Sequence, residues 1–166
     1  MKRIVGLVSG LIVMVPVGAV TPPAGPFLCI VEQATGFRFD TESNLWRQAS
    51  FRAEQKFILK RTDEKQYEVM PGTRVRVAGV WAVWEFGNDH WPAFICRSEF
   101  SEYGGLWCES ATTERFGFNL TNGRFITDNL LGYIQPGMPG YRGIDGKVLP
   151  EGSNTPSMQI GKCAAL

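Results

Sequence analysis

The chain has 166 residues, with 17 basic and 16 acidic side chains, a net charge of +1, and 44% apolar and 20% charged residues. That length suits one globular domain, and the near-zero charge argues against a nucleic-acid binder, which carries a clustered basic excess. An aromatic content of 12% argues against a disordered chain.

Met1, Lys2 and Arg3 give a positive start, residues 4–15 form an uncharged apolar run, and Pro16 ends it before Val17, Gly18 and Ala19. This pattern reads as an export signal. Small side chains at the first and third positions before the cut place cleavage after Ala19, with Ala24 as second choice. Residues 1–19 are then the signal peptide, 20–26 a Pro-rich lead-in and 27–166 a single disulfide-bonded β domain. An uncleaved anchor is the rival reading, but residues 4–20 fall short of the roughly 20 that a bilayer span needs. Leu28 is too large for lipoprotein processing at Cys29. The 17 basic residues less Lys2 and Arg3, set against 16 acidic ones, leave a net charge of −1. The expected mature product is a periplasmic or secreted monomer without a membrane span.

Cys29, Cys96, Cys108 and Cys163 all survive cleavage, and an even count in an exported chain points to two disulfides, with three possible connectivities. Position favours Cys96 with Cys108, which flank a turn-rich stretch, and Cys29 with Cys163, near the two ends of the mature domain. A metal centre has little support: there is no C-x-x-C, and His90 is the only histidine. No metal or other cofactor is expected.

In chain order, β-type runs occupy 29–34, 36–40, 45–51, 55–61, 66–70, 74–86, 92–97, 106–110, 114–120, 124–127, 130–134 and 157–160, separated by turn residues. Phe37 and Phe39 alternate with polar residues before a DTESN turn, which makes a first hairpin. Phe57 and Leu59 share one strand face, opposite Lys56, Ile58 and Lys60. The 74–86 run is apolar on both faces from Ala78 to Trp84, as in a covered central strand or one bent at Gly79. In ERFGFNLTNGRFI, Asn122-Gly123 suggests a two-residue turn that sets Leu120 opposite Phe125. Its order resembles that of TGFRFDTESNLW, so the two hairpins look related. Eight to ten strands in sequence make an all-β antiparallel meander, expected to close as a small barrel, with a β-sandwich as the alternative. Residues 135–156 hold five Gly and four Pro, which makes either an ordered functional loop or a mobile flap, with Tyr141 and Arg142 the side chains most apt to touch a partner.

Chemistry is scarce. One imidazole, no G-x-S-x-G and no Gly-rich nucleotide loop argue against triad catalysis and nucleotide binding. The densest polar and aromatic cluster is WAVWEFGNDHWPAF, which offers Trp84, Glu85, Asp89, His90 and Trp91 as ligand-binding candidates. Two carboxylates beside aromatic platforms can serve a glycosidase, with Glu85 and Asp89 as the pair. The plainer reading puts Trp81 and Trp84 in the core and residues 87–89 in a solvated turn; Trp46 and Trp107 are expected in the core too.

The CIVEQATGF opening, Trp46, WEFG, the cysteines around EFSEYGGLWC, FGFNL and the closing TPSMQIGKC resemble a group of small secreted bacterial proteins of unknown function. ATGFRFD and IGKC are the most specific parts. The resemblance covers most of the mature chain and implies bacterial export and a disulfide framework, with no activity attached. The leading functional expectation is a binding module for a small apolar molecule or a protein partner, with Phe37, Phe57, Phe118 and Phe125 lining any interior cavity. The alternatives are a cell-envelope glycan hydrolase using Glu85 and Asp89, and an inhibitor or interaction protein acting through the 135–156 loop on an envelope protein.

Overall fold

A computed structural model describes residues 25–63, 65–70, 73–77, 79–88, 90–112, 114–130 and 155–166. Residues 1–24, Asp89, all but Leu130 of the 130–134 run, and residues 135–154 of the 135–156 loop, Tyr141 and Arg142 included, lie outside them. Among the described residues there is no helix, and eleven strands follow one another: β1 Phe27–Asp40, β2 Leu45–Phe51, β3 Lys56–Arg61, β4 Lys65–Met70, β5 Thr73–Val77, β6 Trp81–Glu85, β7 Phe94–Cys96, β8 Gly105–Glu109, β9 Arg115–Asn119, β10 Arg124–Asn129 and β11 Ser157–Ala165. Eight of them, β1-β3-β6-β7-β8-β9-β10-β11, pair antiparallel in that order, and β11 returns to β1, closing a barrel. The expected meander is therefore a barrel and not a sandwich.

The runs 29–34 and 36–40 are one strand. Residues 27–30 of β1 pair with β3, the register slips between Val31 and Gln33, and residues 34–40 pair with β2 instead. A bulge adds a residue to one strand and turns it, so here β1 changes neighbour and runs on beyond the ring as one arm of a hairpin. The 74–86 run divides at Gly79, whose φ of 65° breaks the strand. Among the described residues its first half pairs only with β4 in a separate two-stranded sheet, and its second half joins the barrel. Thr62 and Val80 hold the base of this insertion with two hydrogen bonds, of 2.8 and 3.2 Å.

Alternation carries one face of each strand inward. Phe27, Cys29, Val31, Phe57, Leu59, Trp81, Val83, Phe94, Cys96, Leu106, Cys108, Phe116, Phe118 and Phe125 form one buried cluster. Aromatic rings meet across the interior. Phe57 stands edge-on to Phe94, Phe116 and Phe125 at 6.0–6.2 Å, and Phe116 stacks on Phe125 at 5.2 Å. The barrel is filled by side chains, each large one contributing roughly 2–3 kcal/mol by burial. Trp81 packs against Phe27 and Phe100, and among the described residues its buried Nε1 finds no hydrogen-bond partner.

Three aromatic expectations need correction. Trp107 is 60% exposed, because it sits on the outward face of β8 between the inward Leu106 and Cys108. Trp46 is half-buried against Phe39, and Phe37 is half exposed, because the hairpin that carries both extends past the barrel. The β9–β10 register also differs: Phe118, not Leu120, faces Phe125. The Asn119 side chain explains this. Its Oδ1 accepts from the amides of Thr121 and Asn122, so the turn takes four residues, and Gly123 (φ 67°) rather than Asn122 adopts the left-handed conformation.

The β1–β2 hairpin is built alike. Asp40 Oδ1 accepts from the amides of Glu42 and Ser43, and Asn44 (φ 54°) holds the left-handed position before the return strand. Hydrogen bonds from Ser43, together with the Arg47 guanidinium, hold the Asp40 carboxyl below its ordinary value. The expected likeness of the two hairpins thus lies in a shared four-residue turn.

Cys29 pairs with Cys163 and Cys96 with Cys108, each across directly opposed residues of neighbouring strands with Cα atoms 3.9 and 3.8 Å apart. The first bridge spans 134 residues and joins the strands that close the barrel; the second spans 12. On loop-closure entropy they contribute about 5 and about 3 kcal/mol. Replacing Cys29 and Cys163 by Ser should therefore lower the unfolding free energy by about 2 kcal/mol more than replacing Cys96 and Cys108, measured by urea denaturation.

Candidate functional site

The sequence cluster around β6 does not gather into one cleft. Trp84 is buried on the face of β6 opposite the barrel core, with Lys60 Nζ 4.7 Å from its ring, whereas Glu85 continues the inward face of Trp81 and Val83 at the strand's end. His90 and Trp91 stand in the exposed loop after it, ring centroids 6.1 Å apart. Asp89 lies outside the described residues. Adjacent strand residues point to opposite faces, which separates Trp84 from Glu85.

What meets Glu85 is a residue the sequence did not single out. Glu114, just before β9, continues the inward face of Phe116, and its carboxyl is pushed above the ordinary value by burial and by the nearby Glu85 carboxylate. Asn129 Nδ2 donates to Glu114 Oε1 at 2.8 Å. At the same mouth Thr127 donates to Gln159, and Gln159 to Gln55. These residues prolong the inward faces of β3, β6, β9, β10 and β11, so a polar layer covers the aromatic fill at this end. Two carboxyls side by side, one with its proton affinity raised by burial and by its neighbour, form a pair able to exchange protons with a substrate. The only clue in sequence was register: Glu114 and Phe116 share parity.

A second place lies on the outer wall. Register sets Trp107, Gly117, Ile126 and Ile160 side by side across β8 to β11, and Asn119, Arg124 and Lys162 in the next row. The indole lies flat on Gly117, where a Cβ would come within 2.5 Å of its ring. With Glu32 these residues line a shallow groove of about 590 Å³. On the far side of the apolar row, Arg97–Glu109 and Arg115–Asp128 ion pairs, both at 2.9 Å, make a charged border. A second depression of about 570 Å³ follows the β1 bulge, between Phe51, Met158 and Ile160.

Among the described residues no group of three or more His, Cys, Asp or Glu side chains is placed to hold a metal ion, and no helix is long and apolar enough to cross a membrane. No protein-family model, curated protein or solved structure matches the chain.

Because the folded pKa of Glu114 is raised, the folded chain binds more protons than the unfolded one above about pH 4.5, and this group's contribution falls as pH rises through that window. Glu114→Gln keeps the acceptor for Asn129 and removes the charge. Its melting temperature should exceed that of the wild type at pH 7, with the gap closing towards pH 4; a lower value at pH 7 would contradict this account.

Proposed function

We propose that the protein is an exported binding module, a rigid barrel clasped by two disulfides, whose ligand docks on the outer wall of β8–β11 and not inside. One observation carries this reading: the interior is occupied by interlocking rings, while a tryptophan stands 60% exposed on the outer wall with one face seated on glycine. A solid barrel presents side chains at fixed spacing without reorganising, which keeps the entropy cost of binding low. Tryptophan and arginine are the residues most often found at the centre of energetic binding surfaces.

The signal-like start and the even cysteine count support export. The Glu85–Glu114 mouth supports acid–base chemistry less well, since Asn129 already satisfies Glu114 and the aromatic fill lies directly beneath. Labelled protein should be retained by bacterial cell envelopes in a saturable way. The double variant Trp107→Ala, Arg124→Ala should weaken retention by at least about thirtyfold, whereas Glu85→Gln should leave it unchanged. Equal retention of the double variant, or loss in Glu85→Gln, would overturn the outer-wall assignment.

A further inference from the structure

The groove on the outer wall has a one-sided hydrogen-bonding inventory. Asn119 Oδ1 is occupied by the amides of Thr121 and Asn122, and Asn122 Oδ1 by the amide of Arg124 at 2.9 Å. Asn119 Oδ1 thus has both lone pairs taken and Asn122 Oδ1 one of its two, so the pair offers four N–H donors against one remaining acceptor site. Arg124 and Lys162 are donors alone. Among the described residues Glu32 is the single acidic side chain lining the groove, and it is bound to Lys162 at 3.3 Å. A ligand that fits must be rich in acceptors.

Charge points the same way. Arg124 and Lys162 occupy directly opposed positions on β10 and β11, and like charges so placed repel. Glu32 offsets one of the two. With Glu32 counted, one net positive charge is left at this pair for an anionic group to meet. Beside this pair lie the open indole face of Trp107 and the apolar Ile126 and Ile160, a floor that runs across four strands for roughly 14 Å at the usual strand spacing.

We propose that this groove binds an anionic saccharide, with one sugar ring on the Trp107 indole and the acidic substituent of the same or the next sugar between Arg124 and Lys162. A flat apolar platform flanked by donors matches a sugar, whose ring carries C–H bonds on one face and oxygens around its rim. An acidic peptide fits less well. Extended peptides gain affinity by adding to a free strand edge, and the wall strands β9, β10 and β11 that carry Arg124 and Lys162 are paired on both sides by barrel closure.

This inference rests on the outer-wall reading above, and its test separates the two. The purified protein is titrated calorimetrically with tetragalacturonate, with the neutral cellotetraose and with tetraglutamate as comparators. Expected are saturable binding of the uronate, binding about tenfold or more weaker for cellotetraose and for tetraglutamate, and a loss of about tenfold or more in Trp107→Ala and in Arg124→Ala. Arg124 is exposed, so its variant reports on binding even if loss of the indole from Gly117 unsettles the Trp107 variant. No saturable uronate binding at millimolar concentration, equal binding of tetraglutamate, or an unchanged affinity in Arg124→Ala overturns the saccharide assignment. If the uronate fails while the double variant still loses envelope retention, the outer-wall reading stands and only the ligand class falls; if retention is unchanged as well, both fall.

Discussion

The pairing of the first strand with the last is the constraint on which the rest depends. Without β1 against β11 the eight strands would form an open sheet with two bare edges and one greasy face, and the interlocked rings of Phe57, Phe94, Phe116 and Phe125 would have no common interior. The seam is fitted closely. A Cβ at Gly161 would lie 2.1 Å from the Ile30 carbonyl oxygen and 2.6 Å from the Phe125 ring, and one at Gly36 would lie 2.1 Å from the Pro156 oxygen. Only glycine lets the two strands approach so nearly at these points. The Cys29–Cys163 bridge then fixes the seam covalently.

Much of this architecture was legible because two-residue alternation is a strong signal where one face is buried. Phe57 with Leu59, and Phe116 with Phe118, announced their inward faces directly. The paired cysteines could be matched by position alone, since the chain supplies one close pair and one terminal pair. Where the reading failed, long-range geometry decided. Nothing local says that β1 will leave β3 for β2 at a bulge, or that Phe37 will thus stand beyond the ring. Asn122-Gly123 looks like a two-residue turn until Asn119 is seen to claim two amides of the loop.

The candidate site was less legible, for a physical reason. Functional groups on a barrel wall converge across strands, not along them, so neighbours in space are far apart in sequence. Trp107, Gly117, Ile126 and Ile160 form one row only once four registers are known. The sequence cluster from Trp84 to Trp91 misled for the complementary reason, because consecutive strand residues face opposite ways and dense local chemistry is thereby dispersed. Glu114 was hidden likewise, since its interest arises from Glu85 across the mouth.

The seam has a temporal consequence. Its two partners, Cys29 in β1 and Cys163 in β11, stand 134 residues apart, so the ring has no closed form until β11 has been synthesised. Topologies dominated by distant pairings gain their contacts late and fold slowly. The nascent chain therefore stays an open ribbon until its far strand emerges to meet the near one.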